Sequence, residues 1–397
     1  MSRYVGKANF GEIMAPGTGG LPVSPDMLEH LSGTEWLTGP PFLRVVLTAN
    51  GNLQMLMSSW YGAKVTVAAV KNEAIPSEAL FGGKEAPREY DRRVNIQTEK
   101  GVFCVASSRI VLSNPEAVEA VESGKVGVAQ LFKYMKVLPH FWLNDAGVVE
   151  NEGQLRLWRE YVLEGNGIQC RIREDFRPNF LQMHAPEGTP SPDMEPAVDI
   201  QNKAGLGLRK LPSVEHMGNI MAGNQCMNLL ADDLSLRVHP LQRCLLTSSG
   251  TTSRIIASYY LSPVQIVILR SAELPQESND HTTTYVRRIV MVCKDVAVAR
   301  AHTVARVDNP EFLEALKSKS CSIASIYRTY DLLPQFELLD VQLTAEASDE
   351  AAAGFGRRYK LCAPGIECEV HEEFSRSILD LTDVDDVPGI PRIYDLQ

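Results

Sequence analysis

Apolar and polar positions along this chain switch period several times, and the switches recur. From Gly167 to Phe176 the alternation is strict: Ile168, Cys170, Ile172, Glu174 and Phe176 share one face and Gln169, Arg171, Arg173 and Asp175 the other. A period of two is that of a half-buried strand. Ile366, Cys368, Val370, Glu372 and Phe374 repeat the pattern, with Glu367, Glu369, His371, Glu373 and Ser375 opposite. The run after Arg44 is apolar and helical in length, and the β-rich stretch Lys64 to Val70 follows it. Asn114-Pro115-Glu116 predicts a helix start, because Asn caps free amides, Pro fits the first turn and Glu suits the positive end of the dipole. Gly124 and Gly127 then divide that helix from a second one around Val128 to Met135. Strands in antiparallel runs, with helices gathered on one face, predict an α+β fold.

The chain also matches itself. Tyr90-Asp91-Arg92-Arg93 returns as Tyr285-Val286-Arg287-Arg288, and Asn114-Pro115-Glu116 as Asn309-Pro310-Glu311, both at a shift of 195. Arg159, Tyr161, Gly167, Cys170 and Glu174 return as Arg357, Tyr359, Gly365, Cys368 and Glu372 at a shift of 198. Pro41, Arg44, Leu47 and Thr48 match Pro240, Arg243, Leu246 and Thr247 at a shift of 199. Two tandem copies of one domain follow, at residues 36–180 and 212–379, each expected to have its own core and to pair with the other within the chain. An N-terminal extension (1–35), a Pro-rich linker (181–211) and an acidic tail (380–397) complete the predicted organisation.

Composition narrows the partners. The 39 basic residues are outnumbered by 49 acidic ones and form no dense block, so nucleic acid is not an expected partner. No stretch approaches the roughly 20 apolar residues of a membrane span, and the start at Met1 to Gly6 lacks a secretory pattern; the expectation is a cytoplasmic protein with no membrane partner. The eight cysteines are scattered without a Cys-x-x-Cys pair, which predicts reduced core residues and no metal or other cofactor.

Two charged residues in each copy fall on apolar faces. Arg92 shares a face with Tyr90, Val94 and Ile96, and Arg287 one with Tyr285, Ile289 and Met291; Glu174 and Glu372 also point inward. A buried charge costs several kcal/mol unless paired. One explanation is an Arg–Glu ion pair in each core; the other is an enclosed pocket where Arg grips a carboxylate and a desolvated Glu exchanges a proton. Tyr260, at the place of Tyr61, is a further candidate for the pocket wall, as is Tyr285.

At these residues the sequence resembles chorismate lyase and its relatives. The second copy carries the resemblance in His239-Pro240-Leu241-Gln242-Arg243, Tyr285-Val286-Arg287-Arg288-Ile289, Gly356-Arg357-Arg358 and Glu372-Glu373-Phe374. The first carries it in Arg92, Val128-Ala129, Leu157-Trp158-Arg159 and Glu174-Asp175-Phe176. The resemblance implies an antiparallel sheet and helices enclosing a ligand. In it, Arg92 and Arg287 would hold a substrate carboxylate, and Glu174 and Glu372 would assist elimination of pyruvate from chorismate, leaving 4-hydroxybenzoate. Backbone near Val128, Ala129, Ile323 and Ala324 would form a substrate-binding helix start. Glu160 in place of a second Arg, the absence of Leu-Gly at 128–129 and 323–324, and the duplication itself depart from the pattern and bear on the substrate.

The expected function is a cofactor-independent lyase or cyclase acting on a small carboxylated or enolic cyclic metabolite, with copy two, which keeps Arg357-Arg358, carrying the chemistry. Alternatives are chorismate pyruvate-lyase proper and a non-catalytic small-molecule-binding protein.

Overall fold

The computed structural model describes residues 3–9, 40–50, 53–75, 87–123, 130–151, 154–183, 239–249, 252–275, 278, 281–318, 323–330, 332–343, 354–379 and 381. Copy one opens with helices α1 (Phe42–Thr48) and α2 (Leu53–Tyr61), then a meander of β2 (Thr66–Ile75), β3 (Arg88–Thr98) and β4 (Gly101–Leu112). Helices α3 (Pro115–Glu122) and α4 (Leu131–Tyr134) cross to a second meander of β5 (His140–Asn151), β6 (Gln154–Gly165) and β7 (Ile168–Phe176). Copy two repeats the order: α5 (Pro240–Thr247), α6 (Thr252–Tyr260), β8 (Val264–Glu273), β9 (Thr283–Cys293) and β10 (Val296–Val307), then α7 (Pro310–Lys317), α8 (Ile323–Thr329), β11 (Gln335–Leu343), β12 (Gly354–Ala363) and β13 (Ile366–Ser375). All strand pairs are antiparallel, and each copy joins its two meanders side by side, β4 to β7 and β10 to β13. The fold is therefore α+β in two copies. The N-terminal stretch contributes β1 (Arg3–Asn9), which lies along β5 and makes the first sheet seven-stranded.

Local chemistry explains the crossovers. Asn114 accepts from the amides of Glu116 and Ala117, and Asn309 from that of Glu311, so the repeated Asn-Pro-Glu starts helices α3 and α7 as expected. The hairpins facing these caps turn at Gly167 (φ +73°) and Gly365 (φ +88°). A Cβ at Gly365 would stand 2.8 Å from the Phe312 ring, so this turn requires glycine both for its left-handed backbone and for space.

Each copy has an apolar cluster of its own, around Ile110, Leu112 and Leu131 in the first and Phe312, Leu316 and Tyr359 in the second, and a larger cluster is shared between them. One apolar cluster takes Phe42, Val46, Leu47, Met57 and Trp60 from copy one together with Leu241, Leu245, Leu246 and Ile256 from copy two. Helix α1 packs on α6 and α2 on α5 across a pseudo-two-fold axis. Val137 and Leu332, equivalent at a shift of 195, form an antiparallel bridge with each other and so mark that axis. Most residues of these four helices are buried, polar ones such as Thr48, Ser58, Thr247 and Ser258 included.

Arginines stitch the joint reciprocally. Arg44 donates to the carbonyls of Ser258 (3.2 Å) and Tyr259 at the end of α6. Its equivalent Arg243 donates to Ser59 (2.8 Å) and Trp60 (2.6 Å) at the end of α2. Thr48 bonds Ser258 at 2.6 Å, and Thr247 bonds Ser59 at 2.5 Å. Each copy thus caps the helix C-terminus of the other with a cation, where orphan carbonyls and the negative end of the dipole both favour one.

Helix α5 begins on a titratable cap. His239 Nδ1 accepts from the Leu241 amide at 3.2 Å, and Gln242 closes the box by accepting from the His239 amide at 3.0 Å. Burial, reinforced by the Arg243 charge, pushes the imidazole down from its ordinary 6.5 to about 4. Its folded value lies below the unfolded one, so the unfolded chain takes up the proton first. This contribution is complete above about pH 6.5 and is lost as pH falls from 6.5 to 4, by up to about 3 kcal/mol. Urea unfolding at pH 7 and pH 4.5 is expected to show that loss, and His239→Asn, which keeps an acceptor, to shrink it. An equal loss in both proteins would remove His239 as the cause.

Candidate functional site

The site candidates converge on the inner faces of the two sheets. Arg159 on β6 stands directly opposite Glu174 on β7, and Arg357 on β12 opposite Glu372 on β13. Arg159 Nε donates to Glu174 Oε2 at 2.7 Å, and the Tyr161 hydroxyl donates to Oε1 at 2.9 Å. In copy two the distances are 2.8 Å from Arg357 Nε and 3.1 Å from the Tyr359 hydroxyl. All four charged residues are buried, with Arg159 and Arg357 fully so.

The remaining guanidinium nitrogens cap helices. Arg159 Nη1 donates to the carbonyls of Val46 (2.8 Å), Leu47 (3.0 Å) and Ala49 (2.6 Å) at the end of α1. Arg357 Nη1 donates to Leu246 (3.3 Å) and Ser248 at the end of α5. Burial alone would weaken the Arg159 cation, but Glu174 and Tyr161 outweigh it and its pKa is raised. Burial, then the Glu charge, holds both tyrosines well above their ordinary range as neutral phenols. Glu174 and Glu372 are thus engaged on both oxygens.

Their partners are Arg159 and Arg357, and the pairing of Arg92 with Glu174, or of Arg287 with Glu372, does not occur. The reason is strand order. Between β3 and β7 lies β4, with Arg92 opposite Ser108 and Ser108 opposite Ile172, a separation of about 10 Å across the sheet. Alternation along β6 would have revealed Arg159, since it shares the inward face with Leu157 and Tyr161, both buried.

The two inward arginines named first differ in their engagements. Arg287 is buried, and its Nη2 donates to the Leu316 carbonyl in the last turn of α7 at 2.9 Å, with Nε 3.3 Å from Ser271 Oγ. Tyr285 joins it: its hydroxyl lies 3.0 Å from Ser271 Oγ and 3.5 Å from the same carbonyl. Arg92 is half-buried, and among the described residues its guanidinium has no hydrogen-bond or ion-pair partner. Asn72 occupies the place of Ser271 and is exposed on the outer strand β2. Burial lowers the Arg92 pKa; the Cys170 thiol and Tyr161 phenol are the ionisable groups that oppose the shift. Cys170 itself is pushed up to about 12 by burial.

Tyr260 donates to the Ile378 carbonyl, as its equivalent Tyr61 donates to Phe180 at 2.6 Å, so both tyrosines pin the short helical turn after the last strand of their copy. Ile323 opens α8 and is half-buried, and Ala324 follows it in the helix. Val128 and Ala129 lie outside the described residues, as do most of the linker and the tail beyond 381.

A cavity of about 30 Å³ lies at the joint, lined by residues equivalent at a shift of 199: Thr48 with Thr247, Ala49 with Ser248, and Met55 with Arg254. It has room for one or two water-sized molecules. Among the described residues no group of three or more His, Cys, Asp or Glu could hold a metal ion, and no helix is long and apolar enough to cross a membrane. No protein-family model matches the chain, and no curated protein matches it either.

Proposed function

We propose that the protein binds a small carboxylated metabolite in copy one, with Arg92 as the anchor. The observation that carries this reading is the contrast between equivalent residues. Arg287 satisfies a helix terminus, whereas Arg92 offers a partly desolvated guanidinium that no described group engages. Such a group is costly unless an anion completes it, and its planar fork matches a carboxylate bidentately. The support therefore favours copy one over copy two as the ligand site.

The lyase or cyclase reading, with a chorismate-like substrate, rests on the same anchor. Tyr161, held protonated by burial, is with the Cys170 thiol a proton-bearing group near Arg92, and the Glu174 carboxylate positions it. Glu174 would then act through Tyr161 and not on the substrate directly. The small-molecule-binding reading needs only the anchor, and it is the one the geometry supports best.

Calorimetric titration with chorismate and 4-hydroxybenzoate, beside an absorbance assay for turnover, tests both. Arg92→Met is expected to weaken carboxylate binding at least tenfold while leaving Tm unchanged or raised, because it deletes a half-buried charge without a described partner. Arg287→Met is expected to lower Tm and leave binding in copy one intact. Binding that survives Arg92→Met and is lost in Arg287→Met would overturn the assignment. Binding without turnover would retain the anchor and dismiss the lyase.

A further inference from the structure

Among the lining residues of the cavity at the joint the one charged side chain is on one side only: Arg254 from α6 stands where copy one has Met55. Arg254 Nη1 donates to the Thr48 carbonyl at 2.9 Å, and its guanidinium lies 5.6 Å from the centre of the Phe141 ring. Among the described residues no carboxylate is its partner. Arg159 converges on the same helix end, so the four carbonyls from Val46 to Ala49 are shared between one arginine of each copy.

Outside the residues that line the cavity, the joint also holds an orphaned donor. Arg159 is fully buried, yet its Nη2 has no hydrogen-bond partner. In copy two the same atom of Arg357 donates to Thr252 Oγ1 at 2.9 Å and lies 2.7 Å from Glu372 Oε2. Leu53 occupies the position of Thr252 and cannot accept. Burial pushes the Arg254 pKa down to about 9, and the charges of Arg328 and Arg159 push the same way. Glu174 offsets the Arg159 charge, and nothing of opposite sign among its partners offsets that of Arg254.

We propose that this cavity is a binding site for a small monovalent anion, of the size of a halide or formate, held by Arg254. Arg92 does not line this cavity, so this site is separate from the one proposed there. An anion here joins groups from both copies, the end of α1 in the first and Arg254 in the second, and so ties ligand occupancy to the integrity of the joint.

The test is Tm of the full chain at constant ionic strength as sodium chloride or formate replaces gluconate, which is too large for the cavity. The expected result is a saturable rise in the wild type that is absent from Arg254→Met. Arg254→Lys, which keeps the charge and loses the fork, is expected to weaken the apparent affinity at least tenfold. The same anion dependence in wild type and Arg254→Met, or a wild-type Tm indifferent to the exchange, would overturn the proposal. Should Arg254→Met fail to fold, bromide-soaked crystals of the wild type decide it: an anomalous peak beside Arg254 supports the site, and peaks at surface positions only would sink it.

Discussion

Arg357→Met is expected to cost about 3–5 kcal/mol of stability in urea unfolding, because it strands the Glu372 carboxylate and uncaps α5 in one step. Glu372→Met should cost a similar amount by leaving the guanidinium without its counter-ion. The double variant is expected to recover part of the loss, since no buried charge is then unpaired, but not all of it. The carbonyls of Leu246 and Ser248 would still lack donors, and the Tyr359 hydroxyl would lack its acceptor. The same series at Arg159 and Glu174 should behave alike. Single variants that stay as stable as the wild type while ligand turnover disappears would show that these residues belong to a reacting site and not to the frame.

Severing the chain within the linker is expected to give two halves that are soluble and folded together and not apart. The shared apolar cluster, the helix pairs across the axis and the Arg44 and Arg243 caps all belong to both halves. A half on its own would expose the faces of its two leading helices and leave the ends of α2 or α6 without their donor. Co-expressed halves should co-purify, and the intact chain should melt in a single cooperative transition. Two resolved transitions, or a lone half that melts cooperatively as a monomer, would mean that the copies are independent domains.

Much of this frame is legible in the residues alone. Matching shifts reveal the duplication, and strict alternation around Glu174 and Glu372 correctly turns both carboxylates inward. Alternation reports a face, however, and not a neighbour on that face. Which arginine meets Glu174 depends on the order of strands, and the β4–β7 junction that separates it from Arg92 is a long-range fact. Nor does an inward arginine declare its acceptor: a helix carbonyl and a ligand carboxylate call for the same residue, and only the position of Leu316 tells them apart at Arg287. The common core escaped for a related reason. Helices α1, α2, α5 and α6 carry apolar faces, but their sequence does not say whose apolar surface will cover them.

The substitution of Met55 by Arg254 across the axis has a consequence for how such a joint can arise. In a dimer of identical chains, every residue on the two-fold axis meets its own twin, and an arginine there would face a second arginine at close range. Like charges at that distance in a dry site repel strongly. Linking the two copies in one chain releases each axial position from that rule, so one side can carry the cation and the other a methionine. The duplication therefore offers a chemistry closed to the symmetric assembly: a single, directional charge at the centre of an otherwise two-fold frame.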